Sequence, residues 1–157
     1  LENRIFILAL LAAACVLIVA LESKMYNMVF LTVSNVNFTI ESFSVEEAGG
    51  GRVKMSLVLV VSNPVGYSEL YVRSLNFRVS AVSNGSRGYV GVFEEIFNVQ
   101  VQPHGETAIP LSFTVHGNPA EKLRSADTVE FEMRIRLETP MGEFPVWASF
   151  ESRLDRD

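Results

Sequence analysis

Little in this sequence could run redox or metal chemistry. Cysteine occurs once, as Cys15, so the chain cannot close a disulfide on itself and only a bridge between two copies would use it. Its two histidines, His104 and His116, fall in or beside turns, and neither belongs to a spaced set of His, Cys and carboxylates that would hold zinc. Basic residues are in deficit, 13 Lys and Arg against 18 Asp and Glu for a net charge of −5. They form no cluster, which excludes the basic face that a nucleic-acid partner requires. No glycine-rich phosphate loop opens a helix, because Gly49-Gly50-Gly51 leads into a strand pattern and reads as a hairpin tip. No serine sits on a glycine-flanked elbow with a partner histidine. These absences predict a protein with no catalytic residues, no cofactor and no metal, and so not an enzyme.

What is present divides at about residue 33. From Ile5 to Leu21 the run IFILALLAAACVLIVAL has no charge, proline or glycine, and its apolar residues cover every face of a helix, as Ile5, Leu8, Ala12, Cys15 and Val19 illustrate. Such a helix must be buried in lipid or in protein. The run spans roughly 25 Å, near the lower limit for a bilayer crossing. It can lengthen past Glu22, Ser23 and Lys24 into Met25–Val33, and a helix from Asn3 to about Phe30 would reach roughly 40 Å. A membrane anchor or a polymerisation helix fits better than a secretory signal, whose apolar core is shorter. Arg4 before the helix and Lys24 after it bias its orientation only slightly toward a cytoplasmic N-terminus. Because Leu1 is not a methionine, the chain is expected to begin after a processing or trimming step.

Beyond Val33 the apolar period becomes two, the mark of strands with one buried face. Val129 to Glu138 shows it most clearly: Val129, Phe131, Met133, Ile135 and Leu137 alternate with charged residues. Similar segments at Val36–Val45, Val53–Ser62, Leu70–Val82, Ile96–Val101, Thr107–His116 and Glu143–Glu151 make seven strands, with an eighth candidate at Tyr89–Phe93. Glycine and proline turns separate them. Asn118, Pro119 and Glu121 predict a short capped helix crossing between sheets. Pro110 and Pro145 place their strands at edges or bulges, since proline cannot donate to a ladder. Trp147 breaks the phase of the last strand and reads as a large residue filling an end layer. Residues 34–157 are therefore expected to form an antiparallel all-β sandwich, behind an apolar helix at 1–33. Asn37-Phe38-Thr39 and Asn84-Gly85-Ser86 are glycosylation sequons, the second at a hairpin tip.

The segment LVLVVSNPVGYSELYVRSLNFRVS, Leu57 to Ser80, resembles the late-embryogenesis-abundant type 2 family, also called the water-stress and hypersensitive-response (WHy) domain. The resemblance centres on Asn63-Pro64 with Gly66 and Tyr67. It continues through Pro103-His104-Gly105-Glu106-Thr107, the short helix near Leu123 and the closing Glu138–Pro145, covering about Val36 to Phe150. Val65-Gly66-Tyr67 departs from the family's commonest pattern, in which a second asparagine often follows Asn-Pro. The resemblance implies a seven-stranded sandwich of fibronectin- or immunoglobulin-like type with one helix, found free or behind membrane helices, without known catalytic residues or cofactor. Asn63-Pro64 also makes sense as punctuation alone, because proline keeps the preceding residue extended.

Two functions compete. In one, the chain is a membrane-anchored extracytoplasmic binding or protective module, its partner the membrane lipid. In the other it is a filament subunit resembling type IV pilins in architecture, its partners sister copies packed through the helix into a homo-oligomer. The second would require Glu2, Arg4, Glu22 and Lys24 to be paired or solvent-facing in a close-packed core.

Overall fold

The computed structural model describes residues 2–66 and 69–154, with side chains described from Leu10 onward. Helix α1 runs without interruption over Glu2–Asn35, 34 residues, or about 51 Å at 1.5 Å per residue. It continues past Phe30, where the sequence places its end, because Leu31 and Val33 extend the apolar run. It stops where side chains supply the capping: Asn35 Nδ2 and Ser34 Oγ donate to the Leu31 carbonyl at 2.7 and 3.3 Å, satisfying an acceptor that the next turn would otherwise take.

Seven strands follow: β1 (Asn37–Glu47), β2 (Arg52–Asn63), β3 (Leu70–Ser83), β4 (Ser86–Val101), β5 (Gly105–His116), β6 (Thr128–Thr139) and β7 (Gly142–Arg153). They form two antiparallel sheets in the orders β1-β2-β5 and β4-β3-β6-β7, the sandwich that the alternation predicts. Both strand prolines lie on edges: Pro110 is on β5 and Pro145 on β7, where the missing N–H removes nothing from the ladder. The loop Gly49–Gly51 joins β1 to β2 with three consecutive positive φ values, 73°, 61° and 72°, a conformation that side-chain-bearing residues disfavour.

Two local expectations fail. The segments at Tyr89–Phe93 and Ile96–Val101 are one strand, β4, rather than two. Pairing with β3 jumps between Val72 and Ser74 and again between Val79 and Ser80. The second irregularity inserts Val90 as an extra residue and reverses the phase of β4, so Val90 is buried, Phe93, Phe97 and Val99 face inward, and Val92 and Ile96 face solvent; no single period-two run spans the strand. Helix α2 (Asn118–Ser125) is capped by Gly117 at φ 63°, with no side-chain cap, so Asn118 does not fill the role its type suggests. Pro119 does occupy the first turn, and α2 carries the chain from β5 in one sheet to β6 in the other.

The core lies between the sheets, and aromatic rings join them. Phe113 on β5 meets Phe77 on β3 edge-on at 4.7 Å and Phe93 on β4 at 4.8 Å; Phe43 on β1 meets Phe131 on β6 edge-on at 5.2 Å. Such pairs add to the area they bury. Leu123 and Ala120 of α2 close one end. Phe77 is fully buried, and Phe77→Ala is expected to cost about 3–5 kcal/mol by removing apolar contact and leaving a cavity. Chemical denaturation measures it; a cost near that of an exposed substitution would mean that the sheets are not joined through this ring.

Candidate functional site

The strand register puts three connections at the end of the sandwich that carries α1. These are the β2–β3 loop after Asn63, the β4–β5 turn at 102–104 and the β6–β7 turn at 140–141. Two of them are crossings between sheets. Asn63 is fully buried at the end of β2, opposite Gly105, and Pro64 follows just outside the strand. His104, at φ 55° in the second crossing, reaches back to the first: its Nδ1 lies 2.9 Å from the Pro64 carbonyl, and its backbone N–H donates to the Val65 carbonyl at 3.4 Å. A carbonyl can only accept, so Nδ1 carries the proton in this contact. Gly66 lets the imidazole approach, since a Cβ there would overlap the ring at Nε2. The residues that carry the family resemblance thus form a latch between two crossings. Tyr67 lies outside the described residues.

The outer faces of the two sheets differ in chemistry. Around the middle of β2, the three-stranded sheet is short and neutral, with Ser42, Ser44, Ser56, Val58, Pro110 and Ser112 bordering a shallow depression. The four-stranded sheet carries cross-strand ion pairs: Arg73 with Glu138, Arg87 with Glu130 and Glu132, and Arg136 with Glu143 at 3.5 Å. Hydrogen bonding to Arg73 holds the Glu138 carboxyl below the usual carboxylate range, and at the far end of the sandwich the Arg124 fork does the same to Glu47 at 2.6 and 3.0 Å. These exposed pairs contribute little individually.

Trp147 is on this charged face and 71% exposed, which corrects its expected place in an end layer. Strand β7 alternates regularly, with Phe144, Val146, Ala148 and Phe150 inward and Pro145, Trp147 and Ser149 outward. The indole lies opposite Arg134, whose guanidinium carbon is 5.5 Å from the ring centroid, within cation–π range. Beside them a groove of about 400 Å³ crosses the sheet over Ser74 and Asn76. The only sequence signal for it is an aromatic at an outward phase of a strand, which the apolar residues on both sides of Trp147 obscure.

The remaining candidate residues do not converge on a site. Ala12, Cys15 and Val19 face out from α1 without touching the sandwich, while the side chains of Ile5 and Leu8 lie outside the described residues. Asn37 is exposed at the start of β1, and Asn84 at φ 50° forms, with Gly85, the tip of the β3–β4 hairpin. Among the described residues, no three His, Cys, Asp or Glu side chains are grouped to hold a metal ion.

No protein-family model matches the chain, and no curated protein matches it. Solved structures share its fold. An X-ray structure of a structural-genomics target superposes with a TM-score of 0.54 at 8% identity, covering 78% of this chain and 93% of that one. A crystal structure of a protein from Archaeoglobus fulgidus gives 0.52 at 13% identity, covering 76% and 98%. Matches also include a candidate late-embryogenesis-abundant protein, more distant in shape at a TM-score of 0.40 and 13% identity, covering 88% and 83%. At these identities the likeness is one of fold.

The latch makes a prediction. Gly66→Val should lower stability by about 1 kcal/mol by displacing His104 and its hydrogen bond, and should cost almost nothing in a His104→Ala background. A double-mutant cycle by chemical denaturation reads the coupling; additive costs would show that Gly66 and His104 act independently.

Proposed function

We propose that the chain is a non-enzymatic, membrane-anchored module of the late-embryogenesis-abundant type 2 kind, with α1 in the bilayer and the sandwich on the extracytoplasmic side. The observation that carries this reading is the state of α1. Leu10–Asn35 is long and apolar enough to cross a membrane, and its most apolar 18-residue stretch has a mean hydropathy of 1.6 with only 6% of it buried within the fold. Leu10, Val16, Leu17 and Phe30 are each more than half exposed, and burying such a side chain is worth about 1.5–3 kcal/mol. Lipid supplies that burial on every side at once. Lys24 and Tyr26 then sit where a snorkelling amine and an interfacial aromatic are favoured. The contact-only role of the sandwich is supported by the sequence resemblance centred on Asn63-Pro64, whose residues serve to join the two crossings. On an extracytoplasmic domain Asn84, at an exposed hairpin tip, is the better glycan acceptor, because Asn37 is held in a ladder.

One observation favours the filament reading. At about 51 Å, α1 exceeds the roughly 30 Å of a hydrocarbon core, and exposed Met25, Tyr26, Phe30 and Leu31 continue past Lys24. Sister helices would cover those residues too. Fractionation separates the two. The chain is expected to resist carbonate extraction, dissolve in mild detergent and be absent from sheared filaments. Ala13→Arg, a charge costing about 2.5–3.5 kcal/mol at the centre of a span, should move it out of the membrane fraction. Recovery of the chain in filaments released by shear would overturn the anchor.

A further inference from the structure

We propose that the groove on the outer face of the four-stranded sheet binds an acidic saccharide, with a pyranose ring against Trp147 and its carboxylate on Arg134. Arg134 is the starting point. The other guanidinium groups of this face, at positions 73, 78, 87 and 136, each lie within ion-pair distance of a glutamate. Arg134 has no such carboxylate among the described residues and lies over the indole instead. A guanidinium 5.5 Å from the ring centroid is within cation–π range, and its N–H groups match a carboxylate in two parallel hydrogen bonds. Three guanidinium groups and two carboxylates line the groove, a positive local balance in a chain of net charge −5.

The shape of the site selects among anions. Its floor is made by Ser74 and Asn76 of β3 and by β6, both interior strands of the sheet. Their backbone groups are already paired on either side, so an extended peptide cannot add as a strand here and recognition must come from side chains. Those side chains are short and polar on the floor, with Glu94 and Arg136 further along, suited to hydroxyls at several angles. Trp147 supplies a flat apolar wall on a rigid strand. An apolar C–H face that packs on an aromatic ring, several hydroxyls and a carboxylate are together the features of a uronic acid unit. This ligand class rests on the reading of the sandwich as an outward-facing contact surface, but not on what buries α1.

Trp147 is the only tryptophan in the chain, so its emission reports on this groove alone. The full-length protein in detergent micelles is titrated with hexagalacturonate, with neutral maltohexaose and with a hexa-aspartate peptide. Hexagalacturonate is expected to shift the emission saturably, while the other two leave it unchanged. Arg134→Gln should weaken the response at least tenfold, with thermal unfolding as in the parent, and Arg134→Lys should fall between. The proposal is overturned if millimolar hexagalacturonate produces no shift, if Arg134→Gln binds as the parent does, or if hexa-aspartate or maltohexaose binds equally well. Because the titration is made in micelles, it is independent of the membrane fractionation, and either reading can fail alone.

Discussion

The two sheets use up each other's inner faces and leave α1, among the described residues, exposed along most of its length. That constraint organises the molecule. Phe113, Phe77, Phe93, Phe43 and Phe131 bridge the sheets, and Leu123 of α2 closes the end away from α1. Among the described residues, the helix is buried only near its last turns, at Val29 and Thr32. A helix apolar on all sides that is left uncovered must bring its own surroundings. The same closure leaves the sandwich only its outer faces and loops with which to act.

Those outer surfaces are unequal. The end nearest α1 holds the Asn63-Pro64 loop, tied by His104 into a latch that fixes how the chain passes between sheets. The three-stranded sheet is neutral around the middle of β2, and the four-stranded sheet presents ion pairs around an exposed indole and Arg134. On the last of these, the exposed indole of Trp147 lies beside Arg134, which has no carboxylate within ion-pair distance among the described residues.

The sandwich was legible because its strands obey one rule. Val129 to Leu137 alternate without a break, and the sequence reading of that strand differs from β6 by a single residue at each end. Turn residues marked the other boundaries, and prolines named two of the edges. Where phase slips, legibility ends. β4 was divided because the extra residue Val90 reverses the phase of the strand, so that the inward set passes from Val90 to Phe93 and Phe97. The outward position of Trp147 was hidden by Val146 and Ala148, which are apolar and flank it on the inner face. The latch could not be read locally, since His104 and Pro64 are 40 residues apart and nothing at either position encodes the contact. The helix was evident from composition, but composition does not distinguish lipid from sister helices as the surrounding medium.

The native chain offers a direct probe of that medium, because Cys15 is its one thiol and it faces outward from α1. A nitroxide attached there, in membranes containing the full chain, can be tested for collision with oxygen, which dissolves in lipid, and with a water-soluble nickel complex. High oxygen collision with low nickel collision, and a spectrum free of spin–spin broadening, is the result that the anchored arrangement predicts. Low collision with both reagents, or broadening from neighbouring labels, would show that other helices surround Cys15 and would contradict it.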